Sequence, residues 1–123
     1  MKINICSVCH QTVFSIEDNH DSITCCENET NVYDTNEKYH SEDHSILIRQ
    51  IGSFVTIDII NHPMIDVHKI LFYLILTNHG FYYKDLREKR DAKVEFIIAE
   101  NEIVQKVFSY CNAHSIISTD IME

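Results

Sequence analysis

Four cysteines near the N-terminus constrain this chain more than any other feature of its sequence. Cys6 and Cys9 form a Cys-x2-Cys pair, and Cys25-Cys26 follow after an interval of fifteen residues. Zinc modules commonly place roughly 12 to 20 residues between two ligand pairs, and zinc takes four nitrogen or sulfur ligands in a tetrahedron. The spacing therefore predicts a structural zinc ion held by Cys6, Cys9, Cys25 and Cys26.

The first half of this motif resembles a zinc ribbon or a related zinc knuckle. A short apolar strand over residues 2–5 leads directly into Cys6 and Cys9, as in such modules. The resemblance covers about the first 26 residues, and the second half departs from the ribbon pattern because Asn28 stands three residues after Cys25. The resemblance implies a small module that a metal stabilises.

The identity of the fourth ligand depends on the backbone at the vicinal cysteines. Successive side chains of a strand point to opposite faces, so Cys25 and Cys26 bind one metal together only if the chain turns there. Cys25, at the end of a strand predicted from residue 22, is the expected third ligand. The histidines that would replace Cys26 without such a turn are His40 and His44, then His20 and His10.

Length and composition indicate two parts within one small protein. A chain of 123 residues with 45% apolar residues can bury one compact core. We predict a zinc-knuckle module with a polar loop over residues 1–44 and an α+β core domain over residues 45–123. The clustered, odd number of five cysteines favours a reducing intracellular compartment over a disulfide framework.

Neither a secretory signal nor a membrane span is expected from the sequence. The longest apolar run, residues 70–76, is far shorter than the roughly 20 residues that cross a bilayer. The abundance of isoleucine and asparagine, with two glycines and one proline, is typical of an AT-rich genome such as that of a virus or phage.

The pattern after residue 45 predicts alternating strands and helices. Strands over residues 46–48 and 54–60 flank Gly52-Ser53, which fits a hairpin turn or a bulge. Pro63 at a first helical position and apolar residues at helical spacing predict a buried helix that ends at His79-Gly80. A second helix is predicted from Asn101, and further strands over residues 81–83, 93–99 and 116–121. This order is that of a ferredoxin-like, split βαβ sheet with two helices.

One basic segment interrupts an acidic chain. The formal net charge is −9, and residues 1–45 alone hold nine acidic residues against two lysines. The predicted hairpin tip over residues 84–93 holds five bases and three acids and follows two tyrosines. Stacking on aromatic rings beside lysines and arginines is a mode of RNA binding. The candidate nucleic-acid residues are Tyr82, Tyr83, Lys84, Arg87, Lys89, Arg90 and Lys93.

One group of metal-binding residue types and one further cysteine lie in the predicted helices. His62, Asp66 and His68 crowd the start of the first helix, where His62 and Asp66, four residues apart, share a face as a metal or acid–base pair would. Capping and surface positions are the more common explanation for such residues. Cys111 falls on the apolar stripe of the second helix, which predicts a small core residue rather than a nucleophile.

These observations favour a protein that acts by binding another macromolecule. The acidic N-terminal part and the absence of a phosphate loop or a nucleophile motif point to a protein-interaction or regulatory factor that is not an enzyme. A nucleic-acid-associated factor that uses the zinc module and the basic hairpin is the first alternative. A metal-dependent enzyme built on the histidines is the second.

Overall fold

The structure is a computed structural model that describes residues 1–17, 22–39, 46–59 and 62–120. Within these ranges every regular element is a β-strand and no helix occurs. The predicted α+β class with a ferredoxin-like sheet and two helices is therefore wrong. The candidate ligands His20, His40 and His44 lie outside the described residues.

The first compact unit spans Met1–Lys38 and is built on a three-stranded antiparallel sheet. Its central strand β1 (Lys2–Ile5) pairs with β2 (Thr12–Ser15) on one side and with β5 (Asn31–Asp34) on the other. A small hairpin of β3 (Thr24–Cys25) and β4 (Asn28–Glu29) lies between β2 and β5 in the chain. Strand β5 corrects the prediction of a polar loop over this segment.

The second compact unit spans Tyr39–Glu123 and contains two antiparallel sheets. One sheet has the order β10-β7-β6, and the other has the order β12-β11-β8-β9. Side chains from both sheets meet in one buried core, which makes this unit a β-sandwich. The strands are β6 (Ile46–Ile51), β7 (Phe54–Ile59), β8 (Ile70–Thr77), β9 (Phe81–Asp85), β10 (Val94–Ile97), β11 (Val104–Cys111) and β12 (Ile116–Asp120).

The hairpin predicted around Gly52-Ser53 is confirmed. Ile51 pairs with Phe54 across this turn, and Gly52 has a φ of 60°. The division into a unit ending at Lys38 and one beginning at Tyr39 differs from the expected boundary after residue 44, which stays a prediction. Among the described residues, none belongs to a helix of the length and apolarity that crossing a membrane requires.

The first predicted helix is strand β8 because this strand is buried on both of its faces. Tyr73 and Ile75 pack into the core between the two sheets. Phe72 and Leu74, which point to the opposite face, are also fully buried. A strand covered on both sides reads as a continuous apolar run, which periodicity cannot distinguish from a buried helix.

The second predicted helix is strand β11, where two irregularities disturb the alternation of side chains. The pairing of β11 with β8 shifts between Val104 and Lys106 and again between Tyr110 and Cys111. These shifts place Val104, Val107 and Cys111 in the same core. The spacing of these apolar residues along β11 is therefore close to that of an amphipathic helix.

Strands β9 and β10 do not form the predicted basic hairpin. Strand β9 pairs with β8 in the four-stranded sheet, whereas β10 pairs with β7 in the three-stranded sheet. The segment between them is therefore a connection from one sheet to the other.

Candidate metal centres

The first cysteine pair lies on a knuckle that follows β1. The Cys6 amide donates to the carbonyl of Gln11 at 3.0 Å, and the His10 amide donates to the carbonyl of Cys6 at 2.9 Å. His10 has a φ of 63°, a conformation that glycine adopts more easily. The tight turn brings Cys6 and Cys9 to the same side of the backbone.

The vicinal cysteines lie at the start of a two-residue hairpin turn. Cys25 pairs with Asn28, and Cys26 and Glu27 between them have φ values of 52° and 66°. Two positive φ values in a two-residue loop define a type I′ turn, which suits the twist of the flanking strands. The chain turns at Cys26, so Cys25 and Cys26 are able to face the same metal ion.

The four thiols are spaced as ligands of one tetrahedral ion would be. All four sulfur atoms lie within 4.8 Å of one another, with Cys9 and Cys25 separated by 3.5 Å and Cys25 and Cys26 by 3.9 Å. A tetrahedron with metal–sulfur bonds of about 2.3 Å has sulfur–sulfur edges of roughly 3.8 Å. The residues present fit a metal, and their role as its ligands stays a prediction.

The thiols differ in pKa because some accept hydrogen bonds from backbone amides and others donate hydrogen bonds to neighbouring sulfurs. Backbone amides of Cys9 and Val8 hydrogen-bond to the sulfur of Cys6 and lower its pKa to about 6. Hydrogen bonds from Cys25 to the sulfurs of Cys9 and Cys6 raise the pKa of Cys25 to about 12. Without a cation these four groups cannot all ionise together, whereas bound metal stabilises every thiolate.

A second group of metal-ligating side chains lies in the β-sandwich unit. His62, His68, Cys111 and His114 place one ligand atom each within 4.8 Å of the others. The rings of His62 and His68, and those of His68 and His114, meet edge to face with centroids 4.8 Å apart in both pairs. The group therefore offers three imidazoles and one thiol to a common centre.

The protonation of His62 suits metal binding. Nδ1 of His62 lies 2.7 Å from the carbonyl oxygen of Pro63, so Nδ1 carries the proton and donates it, which leaves Nε2 as the ligating atom. Burial lowers the pKa of His62, and the neighbouring His68 and His114 lower it further. The Nε2 atoms of His62 and His68 are both buried. A neutral imidazole with a buried Nε2 is the form that coordinates a metal.

Cys111 is 1% exposed and combines two opposing effects on its thiol. Burial raises its pKa, while the backbone amides of Ala113 and His114 hydrogen-bond to the sulfur and lower it. Those amides favour a thiolate, which a metal would stabilise further. His114 is the exposed member of the group.

Asn112 connects the two segments that supply this centre. Its side chain accepts a hydrogen bond from the Lys69 amide at 2.9 Å and donates one to the Asp66 carbonyl at 3.0 Å. Its own amide donates to the carbonyl of Lys69 at 3.1 Å. These bonds tie the turn that carries His68 to the turn that carries Cys111.

The sequence located part of this second centre and missed part of it. His62 and His68 do lie together, but as two imidazoles of one group rather than on a helix face. The Asp66 side chain points into solvent, 3.9 Å from Lys69. Cys111 is buried as expected, yet its sulfur lies 3.4 Å from Nδ1 of His114. The overlooked signal was the Cys-x2-His spacing of these two residues.

Several of the candidate nucleic-acid residues make contacts within the protein itself. The Tyr82 hydroxyl donates to Glu102 at 2.7 Å, and the Tyr83 ring packs 5.4 Å from that of Phe72. The ammonium group of Lys89 donates to the carbonyl of Lys93 at 2.7 Å. Binding of nucleic acid by Tyr82, Tyr83, Lys84, Arg87, Lys89, Arg90 and Lys93 stays a prediction.

The fold is that of a superoxide reductase. A solved structure of the superoxide reductase from Treponema pallidum superposes with a TM-score of 0.82 and 17% sequence identity, covering 97% of this chain and 97% of that one. A hypothetical protein from Pyrococcus horikoshii OT3 reaches a TM-score of 0.42 at 15% identity, over 68% of this chain and 92% of that one, and supports no conclusion. The sequence matches no protein-family model and no curated protein.

The comparison overturns the functional class expected from the sequence. The solved structure that shares nearly the whole fold is a superoxide reductase, which contradicts the expected regulatory protein-interaction factor and the expectation of a non-enzymatic, viral protein. The expectation that the protein binds a metal is supported, since the described residues include two groups of metal-ligating side chains. The choice of zinc stays a prediction. A protein partner stays a prediction.

Proposed function

We propose that this protein is an iron-dependent oxidoreductase that reduces superoxide. The observation that carries the proposal is the group of His62, His68, Cys111 and His114, whose ligand atoms lie within 4.8 Å of one another. The superoxide reductase of Treponema pallidum supplies the substrate by analogy, since it shares the fold at a TM-score of 0.82.

The proposed chemistry decides between metals at this centre. Reduction of superoxide is a one-electron reaction, and zinc has no redox chemistry. Imidazole and thiolate donors together suit iron, whose ligand set can tune its potential. A bound ferrous ion would supply the electron that, with two protons from solvent, converts superoxide into hydrogen peroxide.

The protein's own residues have separable tasks at this centre. The Cys111 thiolate, accepting hydrogen bonds from the amides of Ala113 and His114, would set how much electron density reaches the metal. The Nδ1–H of His62 bonds to Pro63 and fixes the orientation of this ring. Superoxide would approach from the side of His114, the exposed member of the group, whereas Cys111 is buried.

The four-cysteine centre is proposed as a separate metal site in which all four ligands are cysteine sulfurs. Four thiolates in a tetrahedron accept either zinc, as the sequence predicted, or iron. Its ligands come entirely from the first unit, so its metal would stabilise the knuckle and the β3–β4 hairpin. A ferric site would colour the protein through sulfur-to-metal charge transfer, and a zinc site would not.

The decisive test measures the stoichiometry of superoxide consumption by the iron-loaded protein with an electron donor. A reductase forms one peroxide per superoxide consumed, whereas disproportionation forms half as much. Cys111→Ser should abolish consumption, while the control Ser109→Ala, a buried change in the same strand, should retain it. Iron-loaded protein that consumes no more superoxide than Cys111→Ser would overturn the proposal.

A further inference from the structure

Three of the four cysteines at the first centre are accessible to an oxidant in solution. Cys9 and Cys26 are exposed and Cys25 is partly exposed, whereas Cys6 is only 2% exposed. Oxidation of a cysteine by peroxide follows the exposure of its sulfur as well as its thiolate character. Cys6 is therefore the protected member of the group, and an oxidant reaches the other three.

The sulfurs of Cys9 and Cys25 are close enough to form a bond after a small movement. They lie 3.5 Å apart, and a disulfide bond is about 2.05 Å long, so the two atoms need to approach by about 1.5 Å. Cys9 lies in the knuckle after β1, and Cys25 lies in the β3–β4 hairpin. The thiol of Cys6 already joins these two turns by a weak hydrogen bond to the Cys25 carbonyl at 3.8 Å.

The vicinal pair of Cys25 and Cys26 is poorly suited to form a disulfide. Their sulfurs lie 3.9 Å apart, but consecutive Cα atoms are only about 3.8 Å apart. The Cα atoms of a disulfide are usually about 4.4–6.8 Å apart, and departures from this range strain the bond. The contact of Cys25 with Cys9 at 3.5 Å therefore identifies Cys9 and Cys25 as the pair that an oxidant joins.

We propose that hydrogen peroxide converts Cys9 and Cys25 into a disulfide and thereby releases the metal from the first centre. The Cys9 thiolate attacks one peroxide oxygen, the O–O bond breaks, and hydroxide leaves as Cys9 becomes a sulfenic acid. The Cys25 thiolate then attacks the Cys9 sulfur, so the S–S bond forms and the S–O bond breaks to release a second hydroxide. The two thiolates lose two electrons, and the peroxide gains them and, with two protons from solvent, becomes two water molecules.

The disulfide removes two of the four sulfur ligands at this centre. Cys6 and Cys26 remain, and two ligands cannot complete the tetrahedral shell that a structural metal requires. The bond itself keeps the knuckle and the hairpin joined while the metal is absent, so reduction by a thiol restores the four ligands. Hydrogen peroxide is the product of the proposed reaction, but the switch needs only the peroxide and not the reduction of superoxide.

Titration of the metal-loaded chain with hydrogen peroxide, followed by mass spectrometry of unreduced peptides, tests the proposal. Cleavage after Glu17 separates Cys9 from Cys25, so a disulfide between them appears as two linked peptides. One equivalent of peroxide should form this link and release one metal ion, and a dithiol should reverse both changes. Cys25→Ser removes the second thiol of the pair, so its Cys9 should stay a sulfenic acid that dimedone labels. Cys26→Ser is the matched control and should still form the link.

The other outcomes would each overturn the proposal. They are a link from Cys9 to Cys26, oxidation of single thiols without a link, and a linked chain that keeps its metal at the first centre. Cys111→Ser, which lacks a ligand of the second centre, separates the switch from the proposed function. Because peroxide is added from outside, this variant should form the Cys9–Cys25 bond as the wild type does, and failure to do so would overturn the switch. A wild-type chain that forms the link but consumes no superoxide would support the switch and overturn the proposed enzyme.

Discussion

The sulfur of Cys111 lies 3.4 Å from Nδ1 of His114, and a tight turn of two residues separates them in the chain. The His114 amide closes that turn by donating to the carbonyl of Cys111 at 3.2 Å. One short turn thus supplies two ligand atoms to the second centre, much as the Cys6–Cys9 knuckle does for the first. The two centres lie in different compact units, which makes their metals separately testable.

We expect two metal ions per chain and independent loss of each. Cys111→Ser should lower metal affinity at the second centre at least about a hundredfold, because it removes a ligand. The four-cysteine centre should keep its metal in this variant. Cys9→Ser should produce the reverse pattern. Elemental analysis together with native mass spectrometry measures both, and loss of both metals in either variant would contradict independent centres.

The Asn112 side chain should control metal affinity without touching the metal. Asn112→Ala removes both bonds to the turn of Asp66 and Lys69, and affinity at the second centre should fall about 10–100-fold. Asn112→Asp keeps an acceptor for the Lys69 amide and should lose less. Cobalt titration followed by thiolate-to-metal absorption measures affinity and ligand geometry together. Equal effects of the two variants would show that the donated bond to Asp66 carries the whole contribution.

Glu102 should make the second unit sensitive to acid. Its carboxylate accepts hydrogen bonds from Thr77 at 2.5 Å, Tyr82 at 2.7 Å and the Ala99 amide at 2.9 Å. These bonds, that from Thr77 above all, hold the pKa of Glu102 below its usual 4.5. A lowered folded-state pKa gives stability that is present above pH 4.5 and is lost as the pH falls through the folded value.

The variant Glu102→Gln isolates this contribution. It should be less stable than the wild type at pH 7, and the difference in free energy of unfolding should shrink as the pH falls below 4.5. Urea unfolding at several pH values measures that difference. A difference that stays constant with pH would show that Glu102 is not the acid-sensitive group.

A glycine at the vicinal-cysteine turn should stabilise the first unit. Glu27 has a φ of 66°, where a side chain costs about 1 kcal/mol and glycine costs little. Glu27→Gly should therefore slow native-state hydrogen exchange of the β1 amides. Glu29→Gly, placed in strand β4, is the control and should speed exchange, since glycine weakens a strand. Faster exchange in Glu27→Gly would contradict the type I′ assignment.

Local sequence signals predicted the structure correctly where a short segment determines its own conformation. The Gly52-Ser53 hairpin and the strand before Cys6 were both predicted, because turn residues and β-branched runs act within a few residues. The class of the fold was missed because β8 is covered on both faces, a property of its tertiary neighbours. The bulges in β11 then gave a strand the spacing of a helix.

The two candidate metal centres show the same difference between local and long-range signals. The four cysteines were visible as one motif because they lie within a short stretch of chain. The second group draws His62 and Cys111 from positions far apart, and the pairing of β8 with β11 brings them together. Long-range strand pairing of this kind leaves no local pattern.

The ladder between β8 and β11 has a consequence for how the chain matures. Ile70 pairs with Cys111 just beyond a register shift, so the ligands before β8 and after β11 meet in one alignment of the two strands. A slip by one residue would turn Cys111 to the opposite side of the sheet. Metal binding at this centre would therefore favour the correct register of β8 and β11, because a misaligned chain would not retain the ion.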